Sequence, residues 1–225
     1  MTLLPDASAN TFTYSNGKIG QCATGRVAWH LNEEILGNTW SVAMWINPES
    51  LGAYNNVLFC KNGTGSTDCH IYFSIISTTQ LNIGVNGPSS SVTATGQTFT
   101  TGTWYHVAAT YDGTTATIYL NGVELKHGTV TTACPTGRLN MNINGRSTNA
   151  ANTGVTGGLT CSFNDFRLYD NCLSATEVHE IAQGLVLHYK LDGGVFGNSN
   201  LYTGSEKFSG SWTNSTYWTT SSDTF

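Results

Sequence analysis

The sequence predicts an all-β protein, an antiparallel two-sheet jelly-roll sandwich with one short C-terminal helix, on three observations. Only 10% of the 225 residues are Asp, Glu, Lys or Arg, against roughly 25% in an average soluble domain. Their place is taken by 34 Thr, 25 Gly and 21 Asn, residue types that favour pleated surfaces or turns. Short runs of alternating apolar and polar residues recur along the chain with turn signals between them. The same arithmetic removes other classes. Long helices and coiled coils need Ala, Glu, Lys and Leu with charged flanks. A net charge of −5 with nine Lys plus Arg lacks the basic surplus of a nucleic-acid binder. A content of 39% hydrophobic and 11% aromatic residues is enough to bury a core, which separates the chain from disordered ones. No run of 18 apolar residues occurs, so no membrane insertion is expected. The start, Met1 to Asp6, lacks the basic and apolar regions of a secretory signal.

Taken in order, Thr39 to Pro48 alternates with period two. Trp40, Val42, Met44 and Ile46 point one way, Ser41, Ala43 and Trp45 the other, and Pro48 ends the strand. Val57–Cys60 and His70–Ile76 form a pair around the loop Lys61 to Asp68. Leu81–Val85 follows, closed by Asn86-Gly-Pro88. Ser89 to Gly102 reads as a polar stretch with Phe99 its only large apolar residue. Trp104–Tyr111, Ala116–Leu120 and Val123–Leu125 are joined by Asp112-Gly113 and Asn121-Gly122. These dipeptides accept positive φ and so mark hairpins. Leu139–Ile143 and Ser162–Tyr169 are strands, with Asn144 to Gly158 a long loop between them. Leu173 to Gly184 is the helix: Ser174 caps it, Glu177 completes a capping box, Leu173 and Val178 take the staple positions and Gly184 stops it.

Six cysteines are too few for a disulfide scaffold, and no C-x-x-C or H-x-x-x-H spacing suggests zinc. Cys60 and Cys69 flank a hairpin loop. They pair there in an oxidising compartment, or remain buried thiols in a protein made in a bacterial cytoplasm. The sequons at Asn62 and Asn214 matter only in a eukaryotic secretory host. The chain stops directly after the strand-like Ser215–Thr219, which predicts a fragment of a longer polypeptide.

Gly17-Lys-Ile-Gly20, Trp40–Pro48, Gly102–Gly113, Thr117–Gly122 and Phe163–Glu177 occur in that order. Together they resemble the concanavalin A-like, laminin-G-like jelly-roll modules over roughly residues 10–184. The resemblance implies two curved sheets, with binding on the concave face or rim loops, in proteins that are lectins, adhesins or accessory modules more often than enzymes. Tyr169-Asp-Asn-Cys-Leu-Ser174 followed by Gly184–Gly193 further resembles modules in tail or minor structural proteins of phages and prophages of Gram-positive hosts. That implies a virion, extracellular or cell-surface location and neighbouring domains of the same polypeptide. The expected organisation is a jelly-roll domain at 1–184, then residues 185–225. Leu185–Asp192 is similar to the strand with which such modules begin. It either opens a following module or folds back to complete the sandwich, where it would cover an open edge.

Glucanases share this architecture, so hydrolysis is the first rival. It needs two carboxylates facing each other, and the acids here lie mostly in turns, in the helix or at strand ends, with no E-x-D-x-x-E strand pattern. No G-x-S-x-G elbow or Cys/His signature accompanies the six histidines, and His106, inside a strand, reads as a satisfied structural residue. No catalytic residue is expected. The resemblance implies calcium as a cofactor, with Asp6, Asn164 and Asp165 as candidate ligands; otherwise Asp165 bonds neighbouring backbone groups. Sugar binding needs an aromatic face flanked by amides and hydroxyls. Trp40, Trp45 and Trp104 match family core positions. Trp29 and His30 beside Asn32, and Tyr54 with Asn55, stand in loop-like contexts, and Arg146 and Asn149 sit on a rim loop. The expected function is a non-catalytic module binding a glycan or cell-surface polysaccharide. The alternative is a structural spacer or decoration domain without glycan binding.

Overall fold

The computed structural model describes residues 2–3, 12–25, 27–31, 38–51, 55–61, 69–85, 90–130, 139–147, 155–156 and 160–184. All of these fall in the unit Met1–Leu185; the expectations for 185–225 lie outside the described residues. The strands are β1 (Thr2–Leu3), β2 (Phe12–Asn16), β3 (Gln21–Gly25), β4 (Val27–Leu31), β5 (Trp40–Pro48), β6 (Asn55–Lys61), β7 (Cys69–Ser77) and β8 (Gln80–Val85). They continue as β9 (Ser91–Thr95), β10 (Tyr105–Tyr111), β11 (Thr115–Leu120), β12 (Val123–Thr129), β13 (Leu139–Ile143), β14 (Arg146–Ser147), β15 (Val155–Thr156) and β16 (Cys161–Tyr169). The helix α1 is Ala175–Ala182.

Two antiparallel seven-stranded sheets result, in the orders β1-β4-β13-β6-β7-β8-β9 and β12-β11-β10-β5-β16-β3-β2, with β14 and β15 as a separate pair. The period-two pattern explains the layering. On β5, Trp40, Val42, Met44 and Ile46 are buried in one cluster with Val107 and Ala109 of β10 and Ile118 of β11. From the other sheet come Leu58, Ile71, Phe73, Ile75, Leu81, Ile83, Met141 and Ile143. The core is this apolar layer between the sheets, and removing it from water is the main favourable term.

The helix closes the outer face of the second sheet. Ser174 Oγ accepts from the Glu177 amide at 3.3 Å while Glu177 Oε2 accepts from the Ser174 amide at 2.8 Å, so the capping box forms as expected. Leu173 and Val178 pack with Ala43, Ala108 and Tyr119, and Gly184 at φ +67° ends the helix. Both hairpin dipeptides are turns: Asn121 and Gly122 take φ of +51° and +78°. Asp112 Oδ1 accepts from the Thr114 and Thr115 amides at 2.8 and 2.7 Å.

Three expectations are corrected. Trp29 and His30 lie in β4, and Asn55 is the first residue of β6, not in loops. The stretch 89–102 contains β9, and 144–158 contains β14 and β15. β9 (Ser-Val-Thr-Ala-Thr) and β3 (Gln-Cys-Ala-Thr-Gly) hold one large apolar residue between them, Val92, so periodicity was too faint to mark them.

Candidate functional site

Because Ile71, Phe73 and Ile75 face the core, Tyr72, Ser74 and Ile76 of β7 face outward on the first sheet. The same alternation sends Asn82 and Gly84 of β8, Ser91 and Thr93 of β9, and Asn142 of β13 to that outer face. Register sets them in two neighbouring rows. One runs Asn142, Phe59, Tyr72, Gly84, Ser91, and the other Asn56, Ser74, Asn82, Thr93.

Gly84 makes the first row possible. The Tyr72 ring occupies the space that a Cβ on Gly84 would fill, so the ring lies across the glycine in a cross-strand pair. Two amides share this face, Asn82 on the adjacent strand and Asn142 two strands away, about 10 Å. Asn82 is buried; its Nδ2 donates to the Val92 carbonyl at 3.2 Å and to Thr93 Oγ1 at 2.6 Å, while its Oδ1 has no partner. Asn142 is fully buried with neither amide atom partnered. In a protein interior such groups are ordinarily satisfied, and each one left over asks for an explanation. A half-buried aromatic ring beside unpartnered amides has the chemistry of sugar recognition: an apolar face for the ring, and donors and acceptors for its hydroxyls.

The first sheet also has no acid. Its seven strands contain no Asp or Glu, and Lys61 is their only Lys or Arg.

The outer face of the second sheet carries another cluster. Trp45 and His106 are opposite each other on β5 and β10, ring centroids 5.3 Å apart, and Lys18 Nζ stands 5.0 Å above the indole. His106 is buried as expected but not satisfied, since neither ring nitrogen has a partner. Burial pushes its pKa down to about 4; the Asp165 charge acts against that and the Arg167 charge with it. Trp40 is in the core, Trp45 is buried on this outer face, and Trp104 is half-buried.

Asn164 and Asp165, the described members of the expected calcium set, are committed to protein. Asn164 Oδ1 accepts from the Ile19 amide at 2.8 Å and its Nδ2 donates to the Gln21 carbonyl at 2.6 Å, pinning the β2–β3 turn. Asp165 sits at φ +50° where β16 slips register against β5. Its two oxygens pair with Arg167 Nε at 2.9 Å and Nη2 at 2.8 Å. Both side chains thus already have protein partners, and Asp6, the third expected ligand, lies outside the described residues. Among the described residues no group of three His, Cys, Asp or Glu could hold a metal.

The described members of the predicted sugar-binding set, Trp29, His30, Asn55 and Arg146, fall on three different strands. Trp29 and His30 sit opposite Met141 and Asn140 on β13. Asn55, opposite Ile75, is at the far end of β6 from Cys60, the Met141 partner, about 15 Å along the strand. Arg146 pairs with Thr156 in the small sheet. Asn32, Tyr54, Asn149 and Asp6 lie outside the described residues. Cys69 is in register with Lys61 and Cys60 with Ile71; Cys22, Cys161 and Cys172 are free. Tyr72, Asn82 and Asn142 were missed. The available signal was Leu81-Asn-Ile-Gly-Val85 and Leu139-Asn-Met-Asn-Ile143, runs whose alternate positions hold only amides or glycine.

A family model described as the concanavalin A-like lectin/glucanases superfamily matches residues 23–179. The chain belongs to this superfamily. Concanavalin A-like folds of known structure resemble it at low identity. Domain 4 of AbnA, a GH43 extracellular arabinanase from Geobacillus stearothermophilus solved in complex with arabinotriose, is 22% identical with a TM-score of 0.59, covering 77% of this chain and 82% of that one. A heptameric SAP-like pentraxin from Limulus polyphemus is 17% identical with a TM-score of 0.56, covering 76% and 80%. The receptor binding domain of botulinum neurotoxin type G is 16% identical with a TM-score of 0.54, covering 78% and 45%. At these identities the likeness concerns the fold. No curated protein matches the sequence.

Proposed function

We propose that this chain is a non-catalytic carbohydrate-binding module that engages glycan on the outer face of its first sheet. The observation that carries the reading is the Tyr72 ring laid across Gly84, between the amide of Asn142 and that of Asn82. The non-catalytic part is supported by the missing acids. Glycosidases use two carboxylates about 5 to 9.5 Å apart, and the strands of this face supply none. The arabinanase domain solved with arabinotriose and the toxin receptor binding domain give the fold a precedent among binding modules. The setting we propose is a larger phage-tail or bacterial surface protein with adjoining domains. Its basis is the likeness of Tyr169–Ser174 and Gly184–Gly193 to phage tail modules.

A glycan array tests the reading. Wild type should bind at least one glycan class, and Tyr72→Ala should weaken that binding about tenfold or more, the loss of roughly 1.4 kcal/mol or more of contact energy. A wild-type protein silent across the array, or a Tyr72→Ala protein that binds as wild type does, would sink it.

A further inference from the structure

We infer that Gly84 is the positioning residue of this face: the side chain it lacks is what lets the Tyr72 ring lie down along the sheet as a stacking platform. The inference rests on the carbohydrate-binding reading and names the residue that shapes its contact. The backbone gives no reason for a glycine at this position. Gly84 does not have the positive φ of Gly96 or Gly122, so its conformation is open to any residue. It lies inside β8 between Ile83 and Val85, where a glycine weakens a strand by its flexibility and by the side chain it fails to pack. Space supplies the reason instead. Tyr72 stands opposite Gly84 in register, and three of its ring atoms, Cδ1, Cε1 and Cζ, occupy the place of the missing Cβ. The ring therefore covers Gly84, which is buried, while Tyr72 itself stays half-exposed.

The two partners differ in their freedom to yield. β8 is paired on both sides, with β7 and β9, and Ile83 and Val85 are fully buried in the core. The Tyr72 ring turns about its side-chain bonds at a half-exposed position. A methyl group at 84 would therefore displace the ring and leave the strand in place. A sugar stacked on the ring needs that ring at a fixed height and tilt, and both are set by what lies beneath it.

The test is a double-variant cycle on Tyr72→Ala and Gly84→Ala. The probes are soluble arabinan, mixed-linkage β-glucan, galactomannan, polygalacturonate and alginate, with a thermal midpoint measured beside each affinity. For a polymer that wild type binds, Gly84→Ala should weaken binding about fivefold or more and lower the midpoint by about 2 °C or more. Once the ring is gone the space is open. Added to Tyr72→Ala, Gly84→Ala should change affinity by less than about twofold and raise the midpoint. A Gly84→Ala protein with a lowered midpoint that still binds as wild type would leave the glycine a packing role only and overturn the inference. Losses that multiply in the double variant would overturn it too. Wild type supplies an arm that stands even if Gly84→Ala does not fold: on adding a bound polymer, the Gly84 amide signal in the NMR spectrum should move. A Gly84 signal that stays in place while others shift would overturn the inference and leave the carbohydrate reading standing. A wild type that binds none of these polymers would overturn both.

Discussion

At the residue scale, burial of a titratable ring in β10 links sequence to acid stability. His106 faces Trp45, with Asp165 and Arg167 close enough to act on its charge and Lys18 above the indole. Unfolded, the ring takes up a proton near its ordinary 6.5; folded, it does so only near 4. The unfolded state therefore binds more protons in that window, and stability falls as pH drops from about 6.5 to about 4, by about 3 kcal/mol in all. Below the lower value both states are protonated and the loss stops growing. In urea unfolding at pH 7 and pH 4.5, the fall in stability should be about 2–3 kcal/mol smaller for His106→Leu than for wild type. Equal falls would show that the imidazole does not carry the acid sensitivity. Sequence alone placed His106 inside a strand, but not its lack of partners, which depends on β16 and the β2–β3 turn arriving on the same face.

At the element scale, the most legible parts were those whose cause is local. Asn121-Gly122 needs positive φ at both positions, and Ser174 with Glu177 closes its hydrogen bonds within one turn of helix, so a few adjacent residues determine each. What such a window omits is what the element then touches. A Cβ on Gly122 would come within 2.9 Å of Ala182 Cβ and 3.1 Å of His179, so the hairpin turn is also the seat of the helix. Gly122→Ala should destabilise the protein by about 1–3 kcal/mol, adding left-handed strain to that collision. Chemical denaturation measures it; a loss under half a kcal/mol would mean that helix and turn yield to each other freely. Strands β2, β3, β4 and β9 show the converse. Their short or small-residue runs carry no clear period, and they are strands because neighbours pair with them.

At the scale of the whole molecule, the two sheets are tied by polar contacts as well as by the apolar layer. Asn144, buried at φ +57° after β13, donates from Nδ2 to the Gly25 carbonyl at 2.7 Å and the Cys161 carbonyl at 3.0 Å. Its Oδ1 accepts from Cys161 Sγ at 2.8 Å, and its amide donates to the Val57 carbonyl. One residue following the first sheet thus answers backbone of both sheets. Asn144→Ala should cost about 2–4 kcal/mol in urea unfolding, the penalty for several buried groups left unmet. A loss below 1 kcal/mol would show that the tie is dispensable. Asn-Gly at 144–145 looked in sequence like one more loop turn, since Gly25, Val57 and Cys161 are distant in the chain.

By itself, the sequence determined the class of this protein, the alternation on β5 and β10, the hairpin turns, the capped helix and the superfamily. Each depends on neighbours within a few residues or on motifs in fixed order. Only the tertiary structure decided which polar residues share a face. Tyr72, Asn82 and Asn142 come from three strands, and register, which a one-residue slip would invert, brings them together. It likewise separated Trp29 from Asn55 and committed Asp165 to Arg167. A site made of cross-strand neighbours is a property of pairing, and pairing is set by the burial of the whole core.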